Sequence, residues 1–194
     1  LAPKEVVAMP PAGDAGGSLG AALSVWYRYL GQDRPDPTRS DSQQGSYLGP
    51  FFSSETVRVF LKSNGYPYQQ IEADKKARFV AEQIAAGKIV GYMAGRMEFG
   101  PRALGARSIL GAPRRKDTQS VMNLKIKYRE SFRPFAPSIR EENISDYFEL
   151  DKKSPYMLLV AQVKSDKKEK MTPDEESLKG LEKLQINRSV VPAI

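Results

Sequence analysis

The chain of 194 residues contains neither cysteine nor histidine. Without thiols and imidazoles it can form no disulfide, no zinc site built from Cys or His, and no thiol nucleophile or imidazole base. Long apolar runs are also missing, and the N-terminus lacks a basic segment followed by an apolar one, so no membrane span or secretion signal is expected. Any chemistry must therefore use Arg, Lys, Asp, Glu, Ser, Thr, Tyr, backbone amides or a metal ion with oxygen ligands.

These absences predict a soluble, cytoplasmic protein. The first residue is Leu1 rather than Met, which indicates a piece of a longer chain. Apolar residues make up 40% of the sequence, enough for a folded core.

The charge of the chain is distributed unevenly. The formal net charge is +7, and the region from Arg96 to Arg140 holds eleven Lys or Arg against three acidic residues. The remainder of the chain is close to neutral. A cationic concentration of this kind favours an anionic ligand, either nucleic acid or a phosphorylated small molecule.

A glycine-rich stretch, GRMEFGPRALGARS over residues 95–108, opens this basic region. Glycine lets the main chain approach a phosphate with its N–H groups, and arginine grips two oxygens at once, so the stretch indicates an anion-binding loop. It is not a P-loop, because Pro101 and Arg102 stand where Lys and Ser or Thr are required, and no GxGxxG supports a Rossmann site. Glu98 is expected to hold an arginine, with magnesium binding and base catalysis as alternatives.

A second basic cluster, NLKIKYRESFRPFAP, covers residues 123–137. Its cations crowd the end of a predicted helix, where Lys127 and Glu130 would share a face if the helix continued. A basic helix end that complements the helix dipole explains one or two of these charges. It does not explain eleven of them interrupted by glycines and prolines, so the two clusters together favour an anion site.

Hydrophobic periodicity and capping signals predict a mixture of helices and strands, and hence an α/β or α+β fold. The predicted helices cover residues 18–30, 53–63, 74–86, 117–128 (capped by Asp117), 141–148 and 173–184. The predicted strands cover residues 88–93, which are expected to be buried, then 108–110 and 156–163. A polar segment over residues 31–46, rich in Pro, Asp and Ser, is the predicted domain boundary.

The residues quoted above resemble a known family. GRMEFGPRALGARSIL followed by MNLKIKYRESFRPFAPS resembles the C-terminal domain of the O-carbamoyltransferases, which include nodulation-factor and antibiotic-tailoring enzymes. PPAGDAGGSLGAAL is similar to the end of the family's preceding domain, and SYLGPFFSSETV to its inter-domain segment. LEKLQINRSVVPAI resembles the run before a His-containing stretch near the family's C-terminus.

The resemblance implies a fragment of a two-domain enzyme. Residues 1–30 would be a remnant, including the last helix, of a Kae1-like carbamoyl-transfer domain, and residues 31–50 a linker. Residues 51–194 would form a YrdC/Sua5-like domain, a twisted sheet flanked by helices, truncated at its C-terminus.

The resemblance also implies a reaction. The YrdC-like domain would bind ATP and carbamoyl phosphate, with Mg²⁺, and form carbamoyl-adenylate. The Kae1-like domain would then carbamoylate a hydroxyl of a sugar or natural product. The residues expected to bind ATP and substrate are Arg96, Arg102, Arg107, Ser108, Asn123, Lys127, Arg129 and Arg133. Arg96, Arg102 and Arg107 are also expected to be catalytic.

Asp14 is a separate expectation. The resemblance implies that it binds a divalent metal together with histidines of the missing N-terminal domain. Because a hard cation needs several oxygen ligands, Asp14 alone would hold one poorly, and helix N-capping is its expected role in this chain.

Two other functions stay open at the level of the sequence. One is a basic module that binds nucleic acid, and the other is a regulatory domain that senses nucleotide without catalysis. The arginines are packed around glycines and prolines rather than spread along a face with interleaved aromatics, which favours a small-anion pocket over nucleic acid.

Overall fold

The fold is known from a computed structural model that describes residues 14–34 and 43–194. The chain in these ranges forms six α-helices and two strands. In chain order they are α1 (Asp14–Ser24), α2 (Ser54–Ser63), α3 (Ala73–Ala85), β1 (Val90–Met93), β2 (Arg107–Leu110), α4 (Thr118–Val121), α5 (Ile144–Tyr147) and α6 (Pro173–Ser177). The predicted mixture of helices and strands is confirmed. The larger YrdC-like sheet stays a prediction.

Local capping chemistry sets the bounds of α2. The Ser53 hydroxyl accepts a hydrogen bond from the Thr56 N–H at 3.1 Å, and Glu55 lies in the first turn, where it complements the helix dipole. Gly65, with a φ of 67°, reverses the chain after the last turn. Because these signals are local, the bounds predicted from the sequence agree with those of the structure to within one residue.

The strands β1 and β2 pair as a two-stranded antiparallel sheet. The pairing extends beyond β1, because the Ala94 N–H donates to the Ala106 carbonyl at 2.9 Å. The sequence predicted that β1 is buried, and this is wrong: its residues alternate between half-buried and exposed, and Met93 is 57% exposed. The chain that follows β1 up to and including the first residue of β2, residues 95–107, is called the glycine loop below.

The helix predicted over residues 117–128 forms as two segments. α4 continues into a π-helical segment, Met122–Lys127, which ends where Tyr128 takes a left-handed conformation (φ 48°, ψ 52°). Lys127 and Glu130 therefore do not share a helix face. Asp117 makes no capping hydrogen bond, because its carboxylate pairs with Arg115 at 2.9 Å. The predicted cap at Asp117 is thus wrong.

The segment 156–163, predicted as a strand, forms none. Its bridge at Val163, to Phe148, is isolated, and Val160 is 96% exposed. Strand propensity reflects packing against neighbouring strands, and this run has no such neighbour at Val160. The helix predicted over residues 173–184 is also divided, into α6 and a 3₁₀ segment, Gly180–Gln185, because Leu178 is extended.

The chain is divided into two compact units. In the described ranges, unit one comprises residues 14–34, 43–69, 92–108 and 154–159, and unit two comprises residues 70–91, 109–153 and 160–194. Buried apolar residues are Ala106 in unit one and Met122, Val191 and Ala193 in unit two. No helix in the described residues is long and apolar enough to cross a bilayer. The domain boundaries drawn from the sequence stay a prediction.

Candidate anion-binding site

The backbone of the glycine loop requires its three regularly spaced glycines. Gly95, Gly100 and Gly105 have φ values of 72°, 111° and 116°, in the region that side chains disfavour. Residues 46–51 support the loop from outside, since the Met97 N–H donates to the Pro50 carbonyl at 3.0 Å. The backbone conformation of the loop therefore requires these glycines independently of any ligand.

Glu98 organises the interior of the glycine loop. Only 3% of this residue is exposed, and its Oε1 accepts hydrogen bonds from the N–H groups of Leu104 at 2.7 Å and Ala106 at 2.6 Å. Its Oε2 lies 3.3 Å from Arg107 Nε without a directed hydrogen bond, so this contact is a charge pair. The structure thus gives Glu98 the salt-bridge role among the three that the sequence left open.

The environment of Glu98 makes folding pH-dependent. Burial raises its pKa, but the hydrogen bonds from the backbone, led by that of Ala106, together with the Arg107 charge outweigh burial and hold the pKa below its ordinary value of 4.5. A carboxyl with a lowered folded pKa contributes stability above its unfolded pKa. That contribution is lost as the pH falls through the folded pKa.

We therefore expect the wild type to lose its stability advantage over Glu98→Gln below about pH 4.5, the ordinary glutamate value. Urea unfolding of both proteins at a series of pH values between neutrality and about pH 3 measures this difference. A difference that is constant across the whole series would contradict the assignment.

Arg107 faces inward and fastens the glycine loop. Its Nη2 donates to the carbonyls of Gly100 and, at 3.1 Å, Arg102, while its Nε lies beside Glu98. The sequence predicted Arg107 as a phosphate ligand, and that contact stays a prediction. In the described structure two of its three nitrogens face groups of the loop itself.

Arg96 and Arg102 are the exposed cations of the loop. Arg96 donates from Nη1 to the Gly49 carbonyl at 3.0 Å. The Arg102 side chain forms no hydrogen bond or ion pair with the described residues. Ser108 lies half-buried in β2, directly after Arg107. The loop therefore presents Arg102, and part of Arg96, to a ligand from solvent.

The second basic cluster is organised by Asn123, which is fully buried in unit two. Its Nδ2 donates to the carbonyls of Ser131 at 3.0 Å and Arg133 at 2.9 Å, and its Oδ1 accepts from Arg129 Nε at 2.6 Å. The Arg129 guanidinium also lies 4.9 Å from the ring centroid of Phe135. Asn123 thus fixes the conformation of residues 129–133, and its predicted contact with substrate stays a prediction.

The remaining predicted residues of this cluster face solvent. Lys127 is exposed and forms no hydrogen bond or ion pair with the described residues, while Arg133 pairs with Glu130 at 3.2 Å. Between them Tyr128 is 86% exposed. The structure thus separates the predicted set: Arg129 and Asn123 are held inside unit two, and Lys127 is presented outward.

The residues available for a metal ion are few. Across residues 14–34 and 43–194, no group of three or more acidic residues is placed to hold a cation. Asp14 is the first residue of α1, and the residues that precede it lie outside the described ranges. Both its predicted metal role and its predicted capping role stay predictions.

A cleft in unit two was not predicted from the sequence. It has a volume of about 720 Å³, and four segments that are distant in sequence line it. Only their long-range convergence creates it, and no local motif could have indicated it.

The chain has two arginine-bearing segments, and buried side chains hold the backbone of each through hydrogen bonds. This arrangement is typical of a protein that binds anions. Residues 81–176, which include the whole glycine loop and the whole second cluster, match the family model described as "Carbamoyltransferase C-terminus". Just under half of the chain is thus similar to the C-terminal part of carbamoyltransferases.

The chain is also similar to several longer proteins. It is 53% identical over 193 residues to an uncharacterized protein of Synechocystis, 39% identical over 169 residues to the nodulation protein NolNO of Sinorhizobium fredii, and 31% identical over 159 residues to the 3'-hydroxymethylcephem-O-carbamoyltransferase of Amycolatopsis lactamdurans. These alignments cover 98%, 85% and 82% of this chain. They cover only 31%, 24% and 28% of the relatives, so the chain spans less than a third of their length.

Proposed function

We propose that this chain is the part of an O-carbamoyltransferase that activates the carbamoyl group by adenylation. The matching family model and the name of the cephem-modifying relative support carbamoyl transfer to a hydroxyl. The observation in the structure that supports activation at this domain is the outward position of Arg96 and Arg102 on a loop fixed from inside by Glu98.

The proposed reaction starts from two anionic substrates, ATP and carbamoyl phosphate. Water cleaves carbamoyl phosphate to carbamate and inorganic phosphate. A carbamate oxygen then attacks the α-phosphorus of ATP, the bond from that phosphorus to the bridging oxygen breaks, and pyrophosphate leaves. A hydroxyl oxygen of a sugar or natural product would then attack the carbamoyl carbon, the bond from that carbon to the AMP oxygen would break, and AMP and the hydroxyl proton would leave. This transfer would occur in regions of the relatives that this chain does not match.

The contribution of the protein is electrostatic positioning. Negative charge builds on the α-phosphoryl oxygens and on the departing pyrophosphate, and preorganised cations stabilise it without reorganising. Arg96 and Arg102 would serve this role from the glycine loop, and Lys127 from the second cluster. The adenylation step requires neither an imidazole nor a thiol, and this chain contains neither.

Magnesium fits this scheme as a companion of the nucleotide. Mg²⁺ is often bound through substrate phosphates with only one or two protein carboxylates. Such binding would need no dedicated cluster of acidic ligands from this chain. The ion would neutralise phosphate charge beside the arginines.

Arg102→Ala is expected to weaken binding of ATP by about 1.5–3 kcal/mol, the value of a charge-assisted contact. Its side chain is exposed and forms no hydrogen bond or ion pair with the described residues, so the change should leave the fold intact. Calorimetric titration of the intact protein with ATP and magnesium measures the loss, and pyrophosphate release on mixing ATP with carbamoyl phosphate tests the reaction.

Arg78→Ala is the matched control, because Arg78 is an exposed arginine whose partner is Glu82 on the same helix. It should leave ATP affinity unchanged. Equal affinities of wild type and Arg102→Ala would remove Arg102 from the site. Saturable ATP binding without pyrophosphate release would favour nucleotide sensing without catalysis.

A nucleic-acid-binding function is the second candidate, because the exposed Tyr128 stands beside the exposed Lys125 and Lys127. Aromatic rings interleaved with cations can stack on bases of single strands. Extended phosphate contacts give a steep fall of log affinity with log salt, so single-stranded RNA titrated at several salt concentrations would distinguish this candidate from a small-anion site.

A further inference from the structure

Residues 46–51, called the supporting segment below, run antiparallel to the first part of the glycine loop. The Gly49 N–H donates to the Met97 carbonyl at 2.9 Å, and the Phe99 N–H donates to the Ser46 carbonyl at 2.6 Å. These bonds fix the half of the loop that precedes its second glycine. They do not reach the half that follows it.

Tyr47 extends this support to the second half of the loop. Its hydroxyl donates to the Leu104 carbonyl at 3.1 Å. The Leu104 N–H donates to the buried Glu98 carboxylate at 2.7 Å, so both main-chain groups of Leu104 are held. Arg102 lies two residues before Leu104, and its own carbonyl accepts from Arg107 Nη2 at 3.1 Å. The main chain that follows Arg102 is therefore set in part by the Tyr47 hydroxyl.

The place of the Tyr47 ring depends on a glycine. A Cβ at Gly45 would lie 2.7 Å from Tyr47 Cε2, a distance that real side chains do not reach. Any side chain at position 45 would therefore displace the ring. The Gly45 N–H also donates to the Tyr156 hydroxyl at 3.0 Å, which holds the backbone beneath the ring.

The turn that leads into Tyr47 has an unfavourable backbone conformation. Gln44, Gly45 and Ser46 have φ values of 51°, 68° and 63°, in the left-handed region that side chains disfavour. Ser46 is fully buried, and its hydroxyl accepts a hydrogen bond from Gln43 Nε2 at 3.0 Å. Strain of this kind persists only where the surroundings enforce it, and it is concentrated at functional sites. The turn thus favours a functional task for the residue that it orients.

We propose that Tyr47 is a positioning residue of the anion-binding site. Through its hydrogen bond to the Leu104 carbonyl it keeps Arg102 in the orientation that captures the phosphates of ATP, while Tyr47 itself touches no substrate. The inference rests on the proposed function, because that function gives Arg102 the ATP contact. It extends the site to a residue outside both basic clusters.

The first test is a double-mutant cycle in the intact protein. Tyr47→Phe removes only the hydroxyl, and it should weaken binding of ATP with magnesium about fivefold in a calorimetric titration, the net value of one hydrogen bond. In an Arg102→Ala background the same change should weaken ATP binding less than about twofold, because the group that Tyr47 positions is gone. An unchanged affinity in Tyr47→Phe, or a loss of equal size in both backgrounds, would overturn the proposal.

Tyr68→Phe is the matched control for this cycle. Tyr68 belongs to the same unit and is exposed to a similar extent as Tyr47, 43% against 40%. Its hydroxyl forms no hydrogen bond within the described part of the chain. Tyr68→Phe should therefore bind ATP as the wild type does.

The second test displaces the Tyr47 ring without removing its hydroxyl. Gly45→Ala should weaken ATP binding to about the same extent as Tyr47→Phe, about fivefold. Gly65→Ala is its control, because Gly65 has nearly the same φ, 67°, while no described atom lies within 4 Å of the position of its Cβ. Equal ATP affinities of the two alanine variants would contradict the role of the ring.

The third test needs no ligand. Amide hydrogen exchange, followed by nuclear magnetic resonance, should be about fivefold faster for the Leu104 and Ala106 N–H groups in Tyr47→Phe than in the wild type, since the loop opens more often. Tyr68→Phe should exchange these two amides at the wild-type rate. Unchanged exchange in Tyr47→Phe would overturn the proposal.

The three tests separate this inference from the proposed function. If the wild type binds ATP and releases pyrophosphate but Tyr47→Phe and Gly45→Ala bind ATP equally well, the inference fails and the function stands. If the wild type binds no ATP, the proposed function fails. The exchange rates of Leu104 and Ala106 then decide by themselves whether Tyr47 sets the conformation of the loop.

Discussion

Glu98→Ala is expected to destabilise the intact protein by about 3–5 kcal/mol, the cost of removing one partner from a buried ion pair. The change leaves the N–H groups of Leu104 and Ala106 without their acceptor and leaves Arg107 beside an empty space. Because natural domains are stable by only about 5–15 kcal/mol, this loss should be visible as a large shift of the urea unfolding midpoint.

The control for this experiment is Glu55→Ala. Glu55 pairs with Arg58 at 2.6 Å, but its side chain is 63% exposed, so the loss should stay below about 1 kcal/mol. The loss of stability in Glu98→Gln should lie between those of Glu98→Ala and Glu55→Ala. The amide oxygen can still accept hydrogen bonds from the loop N–H groups, but the negative charge is removed. If Glu98→Ala were as mild as Glu55→Ala, the glycine loop would not depend on its buried carboxylate.

Asn123→Ala should cost about 3 kcal/mol or more, because a buried group left without a partner costs about 1–3 kcal/mol and this change strands several. It strands the carbonyls of Ser131 and Arg133, and it removes the acceptor of Arg129 Nε. Asn123→Asp preserves that acceptor but removes both donated hydrogen bonds and faces two carbonyls with negative charge. We expect a comparable loss, measured again by urea unfolding of the intact protein.

Gln119→Ala is the control for Asn123. Gln119 Nε2 also donates to the Arg133 carbonyl, at 3.1 Å, but from a partly exposed position where water can replace it. Its loss should cost no more than about 1 kcal/mol, the net value of an ordinary hydrogen bond. If Asn123→Ala lost no more stability than Gln119→Ala, residues 129–133 would hold their conformation without the buried amide.

The elements that the sequence located well are those whose ends are set by nearby residues. α2 begins at a serine cap and ends before a glycine, and α3 lies within one residue of its predicted bounds. The capping residue and the terminating glycine each act within one turn of the helix end, so the local sequence is enough to identify them. The glycine loop was located for the same reason, since its glycines mark positive φ values.

What the sequence did not predict depends on distant residues. Whether residues 156–163 form a strand depends on a neighbouring strand, and the structure places none at Val160. Arg102 and Arg107 look alike in the sequence, yet the second is turned toward Glu98 and the carbonyls of the loop. The cleft of unit two combines four separate segments, and only their packing reveals it.

The internal fixation of the glycine loop has a consequence for the rate of binding. A loop whose conformation is already set by Glu98 and Arg107 loses little further conformational entropy when a ligand arrives. Capture of an anion by Arg96 and Arg102 then needs no slow rearrangement, and the positive field of the region accelerates the encounter. The association rate would therefore be governed by diffusion and ionic strength, and the residence time by the contacts of the arginines.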